Sequence, residues 1–263
     1  SSQFLTGLLF ALPLLKKDSV IEITNELESQ GYINLTLNVL RLFNVHILKV
    51  DQYFYIKGGQ KYQSQTATVE GDYSQAAFWM VAGLIGKSIE IRHLNPVSQQ
   101  GDYKIVDIIK SMVGKIEYHN LKRVYKVKPS ETFGMTIDLS QIPDLGPILM
   151  ILASLSANET TFTNASRLRI KESDRLEAMY QTLLKFGVEV EIKKDTMKIK
   201  GTQILKGNQT FDSYGDHRIA MAIAIAAIRA DGPVTILNAE VVKKSYPKFF
   251  EVYQTLGGDI HES

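Results

Sequence analysis

Two kinds of apolar patterning alternate along the chain. Four stretches carry apolar residues at most positions: SSQFLTGLLFALP (residues 1–13), DYSQAAFWMVAGLIG (72–86), PDLGPILMILASLSA (143–157) and GDHRIAMAIAIAAI (215–228). A helix that is apolar all round has no face for water and reads as core. Each stretch is followed by a segment with β patterning: VIEIT (20–24), IEIRHL (89–94), ETTFTN (159–164) and VTILN (234–238). Period-two alternation is the mark of a strand with one buried face. Amphipathic helices are predicted next, near Tyr32–Phe43, Asp102–Met112, Asp174–Phe186 and Pro247–Leu256. In the third of these, Leu176, Met179, Tyr180 and Leu183 fall at the spacing of one helical face. Ser173 or Asp174 is placed to cap it and Gly187 to end it. The first three amphipathic helices lead into a pair of strands, such as VEVEIKK and MKIKG.

The apolar stretches start roughly 70 residues apart, so a unit of helix, strand, helix, strand, strand recurs. Its two edges look cut. The first unit opens on its helix with no strand ahead of it, and the fourth stops at Ser263 without a closing hairpin, so a strand from elsewhere is expected to complete each. A boundary is expected near Glu70, dividing a lone first unit (1–69) from the other three (70–263).

The helix entrances carry the chemistry. In RLRIKESDRLEAMY (167–180), Arg167, Arg169, Lys171 and Arg175 crowd the end of a helix that is already partly positive. Unpaired cations there cost about 0.3–1 kcal/mol each. Arg218 in GDHR and Lys243–Lys244 before Pro247 break the same rule. Free N–H groups and cations together make sense when a strong anion such as phosphate arrives. Acidic residues sit among them, Asp144 in QIPDLGP and Glu172 in KESDR. A carboxylate held between cations stays ionised until a ligand redistributes that charge, which suits proton transfer beside a bound anion.

Composition narrows the classes. Lys plus Arg exceed Asp plus Glu by only 30 to 28 among 263 residues, so no global field calls for nucleic acid or anionic lipid. The absence of cysteine excludes disulfides, thiolate metal sites and a cysteine nucleophile, and fits a reducing cytoplasm. The five histidines show no metal-ligand spacing. The longest apolar runs, including FLTGLLFALPLL (4–15), fall short of the about 20 residues a bilayer needs and read as buried core helices. No basic segment precedes the first run, so a signal peptide is not expected, and an N-terminal Ser1 rather than Met implies processing or a chosen boundary.

Together SSQFLTGLLFA, VEGDYSQAAFW, NPVSQQGD, IPDLGPI, RLRIKESDR, YGDHRIAMA and KKSYPKFF resemble the 5-enolpyruvylshikimate-3-phosphate (EPSP) synthase family, in order from Ser1 to about Gly258. The resemblance implies an α/β (α+β) fold of repeated βαβαββ units, of the inside-out barrel type found in enolpyruvyl transferases. Residues 1–69 would be the last unit of the domain that takes shikimate 3-phosphate, and 70–263 most of the second domain, its last unit incomplete. The family chain is longer at its N-terminus, so that missing portion is an expected partner.

The activity implied is enolpyruvyl transfer from phosphoenolpyruvate to the 5-hydroxyl of shikimate 3-phosphate, with release of phosphate, in cytoplasmic chorismate and aromatic amino acid biosynthesis. This chain alone is expected to be inactive. Ser1, Ser2, Gln3, Ser29, Tyr32, Asp144 and Lys171 match shikimate 3-phosphate positions. Gln3, Arg175, His217, Arg218 and Lys244 match phosphoenolpyruvate positions, and Asp144, Glu172 and Lys171 the catalytic ones. No metal or organic cofactor, no nucleic acid and no membrane is implied. The alternatives are a transferase acting on a UDP-amino sugar, which often relies on a cysteine that this chain lacks, and a non-catalytic phosphate- or RNA-binding repeat module. The module would present a basic face interleaved with stacking aromatics.

Overall fold

The protein is described from a computed structural model that covers residues 2–25, 27 and 30–261. Its contacts divide the chain into two compact units, residues 1–70 with 97–101 and residues 71–96 with 102–263.

In the first unit, α1 (Ser2–Ala11) is followed by β1 (Ser19–Glu22), α2 (Gln30–Leu42), β2 (Ile47–Val50) and β3 (Tyr53–Ile56). The strands form an antiparallel sheet in the order β1-β3-β2. Leu5, Leu9, Ile33, Leu40, Phe54 and Ile56 meet in its core, and the Thr6 and Thr36 hydroxyls lie 3.1 Å apart where α1 crosses α2. The reading of 4–15 as a wholly buried helix fails here. Only Leu5 and Leu9 of α1 are buried, while Phe4 is 79% exposed and Leu8, Leu14 and Leu15 are about half exposed. One neighbouring helix and one small sheet cannot cover the whole circumference of an apolar helix.

The second unit repeats this plan with more complete burial, twice in full and a third time without the closing pair of strands among the described residues. Its first repeat is α3 (Tyr73–Ile85), β4 (Ile89–Arg92), α4 (Lys104–Ser111), β5 (Lys115–His119) and β6 (Val124–Lys128). The next is β7 (Thr136–Asp138), α5 (Gly146–Ser154), β8 (Glu159–Thr163), α6 (Arg175–Lys185), β9 (Glu189–Lys193) and β10 (Thr196–Lys200). The last is β11 (Gln209–Asp212), α7 (His217–Ala226), β12 (Val234–Leu237) and α8 (Phe249–Thr255). The sheets run β4-β6-β5, β7-β8-β10-β9 and β11-β12.

Short strands ahead of α5 and α7 had no counterpart in the repeat read from the residues. Each pairs in parallel with the strand that follows its helix, β7 with β8 and β11 with β12. Parallel strands cannot be joined by a tight turn and need a crossover, which α5 and α7 supply.

The apolar helices α3, α5 and α7 pack on one another at the centre, and every residue of α5 is buried. The sheets lie outside them, with β4 and β12 alternating between half-buried and exposed positions. α8 begins at Phe249 rather than at Pro247, because residues 239–244 first form a separate 3-10 turn. Among the described residues no helix is long and apolar enough to cross a membrane.

Candidate active site

Two kinds of loop carry the charged residues to one place in the second unit. After β8 and β12 the chain turns through Asn164 and Asn238, both left-handed (φ +55° and +53°), a conformation asparagine tolerates better than most side chains. Each then enters a 3-10 helix, Ala165–Ile170 or Ala239–Lys244. The first delivers Lys171 and Glu172, and the second ends on Lys244. A third 3-10 turn, Pro143–Leu145, precedes α5 and holds Asp144. Gly146 lets these turns close up, since a Cβ there would lie 2.6 Å from the buried Leu168 Cδ2. The amphipathic helix α6 starts as expected, with Asp174 accepting from the Glu177 amide at 3.0 Å and Gly187 ending it at φ +80°.

The cations that meet in the second unit are paired. Asp144 receives Arg175 Nη1 at 2.9 Å, Lys171 Nζ at 3.2 Å and Arg218 Nη2 at 3.5 Å. Arg218 Nη1 also donates to the Asp144 carbonyl at 3.2 Å. Glu172 receives Lys244 Nζ at 2.9 Å and lies 2.8 Å from His217 Nδ1, with Arg175 Nη2 4.0 Å away. A carboxylate can only accept, so Nδ1 is the donor in that contact. Arg169 is not part of the cluster: it pairs with Asp174 at 2.8 Å and with the Lys194 carbonyl. Arg167 Nη1 donates to the Ser140 carbonyl.

Burial grades the cluster. Arg175 and Asp216 are buried at its floor, His217 is 7% exposed, and Lys244 at the rim is 56% exposed. Burial alone would raise the Asp144 carboxyl, but Arg218, Lys171 and Arg175 outweigh it and hold it down at about 2. Asp216 is likewise lowered, burial being overcome by Arg175. His217 is lowered by burial, against the pull of Glu172, and is therefore a neutral imidazole at neutral pH.

An acid-sensitivity follows. A depressed carboxyl contributes stability above its unfolded value of 3.8 and loses it as pH falls towards 2. A shift of this size is worth roughly 2 kcal/mol. Urea unfolding at pH 5 and pH 2.5 is expected to show the parent losing more stability than Asp144→Asn by about that amount; equal losses would contradict the charge balance described.

Glu172, Asp216 and His217 bring three potential donor atoms within 4.8 Å of one another. Arg175 already neutralises Asp216 and Lys244 neutralises Glu172, so the grouping is an ion-pair network rather than a metal cage. Of the residues singled out from the sequence, Asp144, Lys171, Glu172, Arg175, His217, Arg218 and Lys244 come together here. Ser2 and Gln3 begin α1, and Tyr32 lies in the first turn of α2, all in the first unit. Ser1 and Ser29 lie outside the described residues. The residue that sequence reasoning missed is Asp216: as the Asp of GDHR it reads as a helix cap, and its partner Arg175 is 41 positions away.

Known proteins match this chain throughout. The family model for EPSP synthase (3-phosphoshikimate 1-carboxyvinyltransferase) matches residues 1–253. The 3-phosphoshikimate 1-carboxyvinyltransferase of Clostridium acetobutylicum is 49% identical over 263 residues, all of this chain and 60% of that protein. That of Clostridioides difficile is 47% identical, again over all of this chain and 60% of its own length. The solved EPSP synthase from Acinetobacter baumannii superposes with a TM-score of 0.83 at 26% identity, covering 100% of this chain and 62% of that one. The enolpyruvyl transferase NikO from Streptomyces tendae shares the fold, with a TM-score of 0.73 at 15% identity over 95% of this chain and 57% of its own. The chain thus spans about three fifths of the length of the relatives it matches. With the family model covering nearly all of it and the repeat of helices and sheets shared with a solved member, the chain belongs to the EPSP synthase family.

Proposed function

We propose that this chain is the larger part of an enzyme that transfers the enolpyruvyl group of phosphoenolpyruvate to the 5-hydroxyl of shikimate 3-phosphate and releases phosphate, in the cytoplasm. The observation that carries the reading is the pair of carboxylates, Asp144 and Glu172, each held under cations at converging helix entrances. Arg175, Arg218, Lys244, His217 and Gln3 are assigned to the carboxylate and phosphate of phosphoenolpyruvate. Ser1, Ser2, Gln3, Ser29 and Tyr32 of that unit are assigned to shikimate 3-phosphate, together with Lys171. In this reading residues 1–69 are the last repeat of the shikimate 3-phosphate domain and 70–263 belong to the other domain.

Asp144 accepts the proton of the 5-hydroxyl as its oxygen attacks C2 of phosphoenolpyruvate, while Glu172, assisted by Lys171, protonates C3. Removal of a proton from that methyl group then expels phosphate and restores the double bond. Held at about 2, Asp144 is a weak base until arriving anions draw its cations away. Substrate binding therefore strengthens the base at the moment it is needed. Oriented cations stabilise the charge on the departing phosphate.

Because the relatives are longer, the remaining portion of the enzyme is proposed as partner, and Phe4 and Leu8 of α1 as part of the surface it covers. The test is phosphate release from phosphoenolpyruvate plus shikimate 3-phosphate, with the chain alone and after adding the separately produced remainder. Activity is expected only on mixing. Turnover by the chain alone would overturn the two-piece reading, and a folded mixture without turnover would overturn the proposed activity.

A further inference from the structure

Asp216 has no part in the proton transfers above, yet it sits at the centre of the cluster. Its carboxylate is fully buried. Oδ2 accepts from Arg175 Nε at 2.7 Å and Ser173 Oγ at 3.1 Å, and Oδ1 accepts from Arg175 Nη2 at 3.2 Å and the Arg218 amide at 2.9 Å. The last of these bonds caps α7.

A guanidinium carries five N–H donors in one plane. Asp216 takes the Nε hydrogen and one on Nη2, and Asp144 takes one on Nη1. What remains is one hydrogen on Nη2, on the end-on edge, and one of the two on Nη1 beside it. Glu172 Oε2 stands 4.0 Å from Nη2, beyond hydrogen-bond range, so it does not fill that edge. With Asp144 on the outer Nη1 hydrogen or displaced by the arriving anion, these two donors match a carboxylate or two oxygens of a phosphate. The same buried carboxylate caps the helix from which His217 and Arg218 project, so one group sets the plane of Arg175 and the start of α7 together.

We propose that Asp216 is a positioning residue that clamps Arg175 by its Nε edge, so that the end-on edge of the guanidinium faces the incoming carboxylate or phosphate. The proposal rests on the reading that an anion enters this cluster. A purely structural Asp216 would cap α7 and neutralise Arg175 without any bearing on how an anion is held.

The experiment uses the full chain, with Asp216→Asn, which keeps volume and a cap acceptor, and Asp216→Ser, which keeps a cap and removes the fork. Nitrogen-15 NMR of the Arg175 side chain reads rotation of the guanidinium, and titration with inorganic phosphate reads affinity. In the unmodified chain the Arg175 Nη signals are expected to be resolved by slow rotation. In either folded variant rotation is expected to be about tenfold faster and phosphate about tenfold weaker. Free rotation in the unmodified chain would overturn the clamp without need of any variant. So would folded variants that lose stability but hold phosphate like the parent. If the unmodified chain takes up no phosphate while Arg175 is locked there and released in the variants, the function reading fails and the clamp is supported.

Discussion

Asp144→Ala in the complete enzyme is expected to lower turnover by about 10²–10⁴-fold while leaving substrate binding measurable. The side chain is proposed to take the proton of the attacking hydroxyl, a contribution made only as the reaction proceeds. Its removal also releases Lys171, Arg175 and Arg218, which it holds within 3.5 Å. Those cations become freer for the substrate's own anionic groups. The effect should therefore fall on kcat, with KM for phosphoenolpyruvate unchanged or lower. Asp144→Asn, which keeps the shape and loses the basicity, should behave in the same way. Steady-state kinetics on both variants decides the point, and an unchanged kcat removes Asp144 from the role of base.

Arg175→Leu is expected to destabilise the chain by roughly 3–5 kcal/mol, because it strands a buried carboxylate. Asp216 is wholly buried and receives two of its four bonds from Arg175. Asp144, by contrast, is 25% exposed and retains Lys171 and Arg218, so the cost is local to Asp216. Replacing both partners, Arg175→Leu with Asp216→Leu, should recover most of the loss, since a buried pair replaced by apolar side chains no longer pays desolvation. Loss of the α7 cap should leave a residue of about 1 kcal/mol. Urea unfolding of the two variants tests both statements: a near-neutral single variant would mean that Asp216 finds other partners or takes up a proton without cost.

Much of this arrangement could be read from the chain because periodicity is a local property. The buried α3, α5 and α7 and the strands after them announce themselves within a dozen residues, as does the Asp174 to Gly187 span of α6. The cations of KESDR, GDHR and KKSYP were legible because they contradict the helix dipole. What escaped was whatever depends on a distant partner. β7 and β11 are three- and four-residue strands that become recognisable only once β8 and β12 lie beside them. The exposure of Phe4 and Leu8 could not be read from their apolar run, because burial depends on what stands opposite. Asp216 escaped notice because nothing near it in the chain points to Arg175.

The central packing of α3, α5 and α7 has a consequence for the order in which the chain is made. These three helices begin at Tyr73, Gly146 and His217, and each packs on the other two. Contacts between segments so far apart in sequence close late and slowly. A ribosome would release α3, apolar on nearly every face, well over a hundred residues before α7 follows it out. Until α5 follows, the helix has no native neighbour of its own kind to hide against, and until α7 follows it has only one of the two. The same three-way burial that makes the finished unit dry thus makes its nascent form a natural client for chaperones.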